Sequence, residues 1–284
     1  MFYNMSFEDI RSLCKNNIES LELWVRRLIH QKLSEAYGSD YLHAKDMDGE
    51  PIANKKILEH YDFMIESNPP GRFQRPVDAL FFEHLIHYLC NDKYYQRFFK
   101  KALKHKYPQG NNEVREFLNR IVPIRNALSH SNPISVRQAE QAVCYSNDFI
   151  DGLKQYYKDK GEEQMWNVPT IIKFTDSLGN VLYPESINKD RKIPNGTFHV
   201  GDTYSLTVEI DASFNRDEYT IDWYIQNSKP KEYLNKESIS ITFDNSLVSE
   251  RCLMMCEVIS NKEWHKQGDY DDAAILELCV MPAP

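Results

Sequence analysis

Glycine-rich phosphate loops, paired cysteines and long apolar runs are all missing from this chain. No segment approaches the ~20 apolar residues of a membrane-spanning helix. The N-terminal stretch MFYNMSFEDIRSL brings acidic residues early, without the apolar core of a leader. A cytoplasmic protein with no membrane partner is therefore expected. Without a glycine-rich loop, a nucleotide-binding regulator using an arginine as its anion clamp is disfavoured. Cys14, Cys90, Cys144, Cys252, Cys256 and Cys279 form no C-x-x-C pair and have no histidine spacing suited to zinc. Buried free thiols in a reducing compartment are expected instead, and no metal or cofactor is implied. Positive charge is also scarce, with Lys+Arg 34 against Asp+Glu 42 and a formal net charge of -8. That balance excludes general coating of nucleic acid but leaves room for a local basic strip.

What is present first is helical periodicity. Hydrophobic residues make up 42% and charged residues 27% of 284, a globular composition with room for one large domain or two ordinary ones. Residues 6–37 carry Leu21, Leu23, Trp24, Leu28, Ile29 and Leu33 near helical spacing, in one helix or two in series, with Gly38 as a stop. A shorter helix is expected over 53–67, ended by Asn68-Pro69-Pro70-Gly71. Val77, Leu80, Phe81, Leu85, Ile86 and Leu89 mark a strongly apolar helix with these side chains in the core. Lys93, Arg97, Lys100, Lys101 and Lys104 then recur at three- or four-residue steps, which places them on one helix face. They are either a solvated stripe or a track for an RNA backbone.

Pro108-Gln109-Gly110-Asn111 breaks that segment, and Asn112 is placed to cap the next helix, which buries Val114, Phe117, Leu118, Ile121 and Ile124. Pro123 removes one backbone hydrogen bond inside it and is expected to kink it. The helix leads into Arg125-Asn126-Ala127-Leu128-Ser129-His130. Arg125 supplies a planar cation that grips a phosphate with two hydrogen bonds. His130 supplies a side chain whose ordinary pKa, roughly 6.5, suits proton transfer near neutrality. An ideal helix sets residues 125 and 130 ~140° apart. They converge only if the helix ends or distorts between them, or if a second subunit supplies one of them. Pro133 favours an end near His130. Ser135-Val136-Arg137-Gln138 reads as a capping box for a further helix running to about Tyr157. A plainer reading has Arg125 and Asn126 capping a helix C-terminus, with His130 bonded to backbone at a turn.

After a polar linker, Lys158 to Gln164, the period changes from helical to alternating. Ile171 to Phe174, Ser205 to Ile210, Tyr219 to Gln226, Ser238 to Phe243, Cys252 to Ile259 and Ala273 to Val280 are strand-like. Leu178-Gly179-Asn180, Pro194-Asn195-Gly196, Gly201-Asp202 and Asp244-Asn245 punctuate them as turns. The fold class is therefore a multidomain α and β protein: a helical bundle over 1–160 and an antiparallel β-sandwich over 168–284.

A mostly helical domain that ends in R-N-x-x-x-H, followed by proline and one more helix, resembles the HEPN superfamily. Arg125, Asn126 and His130 match its motif. The resemblance implies metal-independent endoribonuclease activity, often in a toxin or an antiviral-defence effector. It also implies a homodimer through the helical domain, whose two copies form one composite site. In that site His130 acts as general acid or base, Arg125 stabilises charge on the phosphate oxygens, and Asn126 orients the phosphate or His130. The products would be a 2′,3′-cyclic phosphate and a 5′-hydroxyl. Other family members are non-catalytic RNA- or protein-binding modules, and that alternative stays open here. Some toxin members carry a tyrosine two residues after the histidine; Asn132 stands there, so control by modifying that tyrosine is not implied.

The second domain resembles an immunoglobulin-like sandwich. Trp223 and Cys256 lie on alternating strands where that family has its central tryptophan and second cysteine. The strand from Tyr204 to Ile210 has no cysteine, so the usual disulfide is not implied. A protein or ligand of unknown identity is the expected partner of this domain. His199, His265, Asp269, Asp271 and Asp272 do not have diagnostic metal spacing and read as a solvated acidic loop.

Overall fold

The structure is a computed structural model that describes the whole chain except Met1, Tyr3, residues 69–71, Gln74, residues 185, 186 and 188–190, and Asn227. The chain divides into two compact units, Met1–Lys160 and Gly161–Pro284.

The first unit is helical. α1 (Phe7–Tyr37) is one uninterrupted helix, opened by a Ser6–Asp9 capping box and closed by Gly38, whose φ of 83° favours glycine. Its inward stripe, including Cys14, Ile18, Leu21, Trp24, Leu28 and Leu33, is buried, and it packs along α7 (Val136–Asp159). α2 (Lys55–Glu66) is capped by Asn54. Its expected stop lies mostly outside the described residues. The apolar segment after it is a 3-10 turn, Pro76–Ala79, followed by α3 (Phe82–Cys90). Phe81 is not in the core: it precedes α3 with extended backbone and is exposed. The Pro76 turn puts Phe81 outside the helical phase that buries Phe82, Leu85, Ile86 and Leu89.

The basic segment departs further from expectation. α4 (Asp92–Tyr94) and α5 (Lys100–Leu103) are joined by a π-helical turn, Tyr95–Phe99. The π turn lies within the basic segment, and Lys93, Arg97, Lys100, Lys101 and Lys104 are all exposed.

α6 (Asn111–Ser129) opens at Gly110, not at Asn112, and continues through Pro123. Ile121 and Ile124 are buried on either side of the proline. α7 opens with the expected Ser135–Gln138 box and runs on through Asp159. The polar linker is therefore shorter than its composition suggested, because α8 (Glu163–Trp166) already takes up Glu163 and Gln164.

The second unit carries two four-stranded sheets. β1 (Ile171–Asp176), β2 (Val181–Leu182), β4 (Thr203–Ile210) and β6 (Ser238–Thr242) form one, in the order β2-β1-β4-β6. β3 (Lys192–His199), β5 (Tyr219–Ile225), β7 (Ser249–Ser260) and β8 (Asp272–Met281) form the other, in the order β3-β8-β7-β5. Inward residues alternate as the pattern predicts: Tyr204, Leu206, Val208, Ile221, Trp223, Ile225, Met254, Cys256 and Val258 are all buried.

Two expectations are corrected here. The sheets are not wholly antiparallel, because β3 runs parallel to β8. Pro194-Asn195-Gly196 is not a turn between strands but a bulge inside β3, where the register shifts between Lys192 and Thr197. An edge strand tolerates the missing proline N–H, and Asn195 takes up a φ of 58°. A Cβ at Gly196 would come within 2.9 Å of the Ile193 carbonyl oxygen, so only glycine fits there. Cys14, Cys90, Cys252 and Cys256 are buried free thiols, Cys279 is half-buried, and Cys144 is exposed. Burial pushes the Cys14 thiol up to about 11 and the Cys90 thiol to about 12.

Candidate functional site

The RNALSH segment occupies the corner between α6 and α7. Its last helical turn closes with two backbone bonds: Asn132 donates to the Ala127 carbonyl at 2.8 Å, and Ser131 donates to Leu128 at 3.1 Å. That pair is a Schellman motif with Ser131 as its left-handed residue, at a φ of 56°. Arg11 on α1 adds a brace, donating to the Asn132 carbonyl at 2.7 Å. His130 is the residue just before this turn, so its backbone is fixed on both sides while its side chain is exposed. Among the described residues its ring has no hydrogen-bond partner.

A serine in left-handed backbone costs stability that a glycine would not. Ser131→Gly is expected to stabilise the helical unit by about 0.5–1 kcal/mol, the relief of strain being partly offset by the larger entropy of an unfolded glycine. Urea titration of both proteins checks the sign; a loss of stability would mean the Ser131 side chain makes a contribution larger than the strain.

Arg125 is held by a group the sequence reading passed over. Its Nε donates to Glu22 Oε1 at 3.1 Å, and its NH1 donates to Asn126 Oδ1 at 3.2 Å. The other Glu22 oxygen accepts from Arg26 NH2 at 3.2 Å. Arg26 in turn donates to the Leu80 carbonyl at 2.9 Å and to the Val77 carbonyl. A carboxylate between two arginines, with side-chain exposures of only 14–29%, keeps the Arg125 plane in one orientation. The NH2 group and one N–H of NH1 have no further partner among the described residues, so bidentate capacity remains. Asn126 Nδ2 donates to Glu83 Oε1 at 3.4 Å. Arg125, Ser129 and Leu128 line one wall of a pocket of about 150 Å³; Lys15, Ile18, Glu19 and Glu22 of α1 line the other.

Arg125 and Asn126 are thus neighbours in one polar network, while the His130 side chain bonds to neither; its backbone N–H donates to the Asn126 carbonyl at 3.1 Å. Glu22 and Arg26 were visible as an i,i+4 pair on α1, but nothing local ties them to a residue 103 positions later. Neither Arg125 nor Asn126 caps the helix end; Arg11 does.

The basic residues of the strip differ in their partners. Lys93 is clamped by Asp46 at 2.6 Å and Asp48 at 2.5 Å. Hydrogen bonds from those two carboxylates hold its ammonium well above the usual lysine range. Arg97 lies over the rings of Tyr37 and Phe98 and donates to the Tyr37 hydroxyl. Lys100 bonds Gln96 at 2.9 Å. Lys101 and Lys104 are exposed. All five basic side chains of the segment are exposed, with Lys93 ion-paired to Asp46 and Asp48 and Arg97 resting on aromatic rings.

Among the described residues no group of three His, Cys, Asp or Glu side chains is placed to hold a metal. The His265–Asp271 pair is structural: Asp271 is buried and also accepts the Ser260 and Lys266 backbone N–H groups. No described helix is long and apolar enough to cross a membrane. No protein-family model matches the chain, and a search of curated proteins finds no match.

Proposed function

We propose that the helical unit is a HEPN-like, metal-independent endoribonuclease that works as two copies. The observation that carries this reading is the division of labour at the α6–α7 corner. Arg125 is oriented by Glu22 and Asn126 with donors to spare, and five residues on, His130 stands exposed on an anchored turn. A phosphate held by Arg125 needs a proton carrier on each side of the scissile bond. Because α6 stays helical to Ser129, one copy's Arg125 and His130 lie ~140° apart around it, and a second copy supplies the complement. His130 takes the 2′-hydroxyl proton or protonates the leaving 5′-oxygen; Arg125 stabilises the charge on the non-bridging oxygens.

Incubating labelled single-stranded RNA with the protein in EDTA tests this. Cutting that leaves a 2′,3′-cyclic phosphate, with DNA of the same sequence untouched, is the expected result. Metal-dependent cutting, or DNA cleaved as well as RNA, excludes this chemistry.

A second reading has its own support: Glu22 and Glu83 already compensate Arg125 and Asn126, as in a module that binds without reacting. On that reading the exposed lysines matter more than His130. Neutralising Lys100, Lys101 and Lys104 together is expected to weaken RNA binding and lower the slope of log affinity against log salt by about 2, three phosphate contacts at ~0.7 each. Unchanged binding would make these lysines ordinary surface.

The second unit we infer to be immunoglobulin-like, with a docking or sensing role toward a protein or ligand. Its strand order supports this, as does the register that sets Trp223 opposite Cys256. Leu206 and Val208 occupy the buried positions of β4, so the pair is packed apolar surface, with no disulfide.

A further inference from the structure

We propose that Phe81, backed by His60 and His84, is a stacking platform for an unpaired nucleobase, built on the same frame as the Arg125 clamp. The inference rests on the reading that Arg125 holds an RNA phosphate, and it adds where the adjoining base goes.

Phe81 is an exposed aromatic, with 49% of its surface accessible. Its ring centroid lies 4.1 Å from His60 and 5.5 Å from His84, and the two histidine rings are 4.9 Å apart. Both histidines are tied to the backbone beside it. His60 Nε2 bonds the Ala79 carbonyl at 3.1 Å, and His84 Nδ1 accepts the Phe81 N–H at 3.4 Å. Accepting that bond requires His84 Nδ1 to be unprotonated, and burial together with His60 and His87 pushes its pKa down. The Phe81, His60 and His84 rings thus form one contiguous aromatic cluster. Phe63, three residues after His60 and on the same side of α2, is 63% exposed and widens the surface.

Continuity with the clamp selects the occupant. Leu80, the residue before Phe81, gives its carbonyl to Arg26, and Arg26 shares the Glu22 carboxylate with Arg125. Glu83, two residues after Phe81, accepts from Asn126. Aromatic platform and phosphate clamp are thus two ends of one hydrogen-bonded frame. Backbone held by arginine and bases stacked on aromatic faces are the two requirements of single-stranded nucleic acid binding.

The test uses the full chain carrying His130→Ala, so that RNA is bound without being cut. Fluorescence anisotropy with a labelled single-stranded RNA reads the affinity. Phe81→Ala is expected to weaken binding about 10-fold or more, and Phe81→Leu equally, because it keeps apolar surface but no π-face. Phe81→Trp should stay within a few-fold of the parent. The salt slope should be unchanged by Phe81→Ala but reduced by Arg125→Ala. Circular dichroism verifies that each variant is folded. Full affinity in Phe81→Leu, or no RNA binding by the parent, overturns the platform. So does a result in which Phe81→Ala converts a dimer to a monomer in sedimentation while RNA affinity stays put; that would make the patch a subunit contact. The nuclease reading fails separately: Phe81-dependent binding by a wild-type protein that never cuts RNA leaves the platform standing and removes the chemistry.

Discussion

Replacing His130 with alanine is expected to lower the rate of RNA cleavage by roughly 10²–10⁴, the usual contribution of a positioned general acid or base. The effect should be nearly free of structural cost. His130 is exposed, its ring has no partner among the described residues, and the turn around it is held by the Asn132–Ala127 and Ser131–Leu128 backbone bonds and by Arg11. The midpoint of urea unfolding should therefore move little. Arg125→Ala should also abolish cutting, but with a stability penalty, because it leaves the Glu22 carboxylate paired only with Arg26 in a half-buried setting. Single-turnover cleavage of labelled RNA in EDTA, run beside urea titrations, separates the two. A His130→Ala protein that cuts as fast as the wild type would remove His130 from the chemistry and the HEPN reading with it. Expression in bacteria gives a coarser form of the same result: growth arrest by the wild type, relieved by either substitution.

Trp223→Ala is expected to destabilise the β-rich unit by about 3–5 kcal/mol, the range for emptying an aromatic core position. Trp223 is completely buried, meets Phe174 edge-on at 6.1 Å between ring centroids, and faces Cys256 in the β5–β7 register. Its Nε1 donates to the Lys236 carbonyl at 2.8 Å, an acceptor that alanine leaves without this partner. At a urea m-value of about 1.5–2 kcal/mol per molar, the transition of that unit should fall by roughly 2 M. Trp264 is the internal contrast. It is only half-buried and lies under the Lys262 ammonium at 4.4 Å, so Trp264→Ala should cost about 1 kcal/mol or less. Equal losses for the two tryptophans would contradict the core assignment. Because the chain has two compact units, far-UV circular dichroism at helix- and strand-sensitive wavelengths is needed to tell which one unfolds.

Periodicity and punctuation determined much of this protein from sequence alone. Apolar residues at helical spacing gave α1 and α7 with their buried faces, and the Ser135–Gln138 box and Gly38 gave two boundaries correctly, because capping is a contact between residues three or four apart. Alternation placed Trp223, Met254, Cys256 and Leu206 inside for the same reason, since the side-chain direction of a strand is set by its own backbone. Local rules failed where a distant partner outweighed them. Pro194-Asn195-Gly196 has the composition of a turn, yet pairing of Thr197 to His199 with β8 draws it into a parallel edge strand. Lys93 has the spacing of a basic stripe, yet Asp46 and Asp48 reach it from a loop more than forty residues away. Arg125 and His130 could be named as chemically suited residues from their side chains alone. That Arg125 spends its Nε donor on Glu22, a carboxylate shared with Arg26, depended on α1 packing against α6, because a hydrogen bond across that sequence distance leaves no trace in local periodicity.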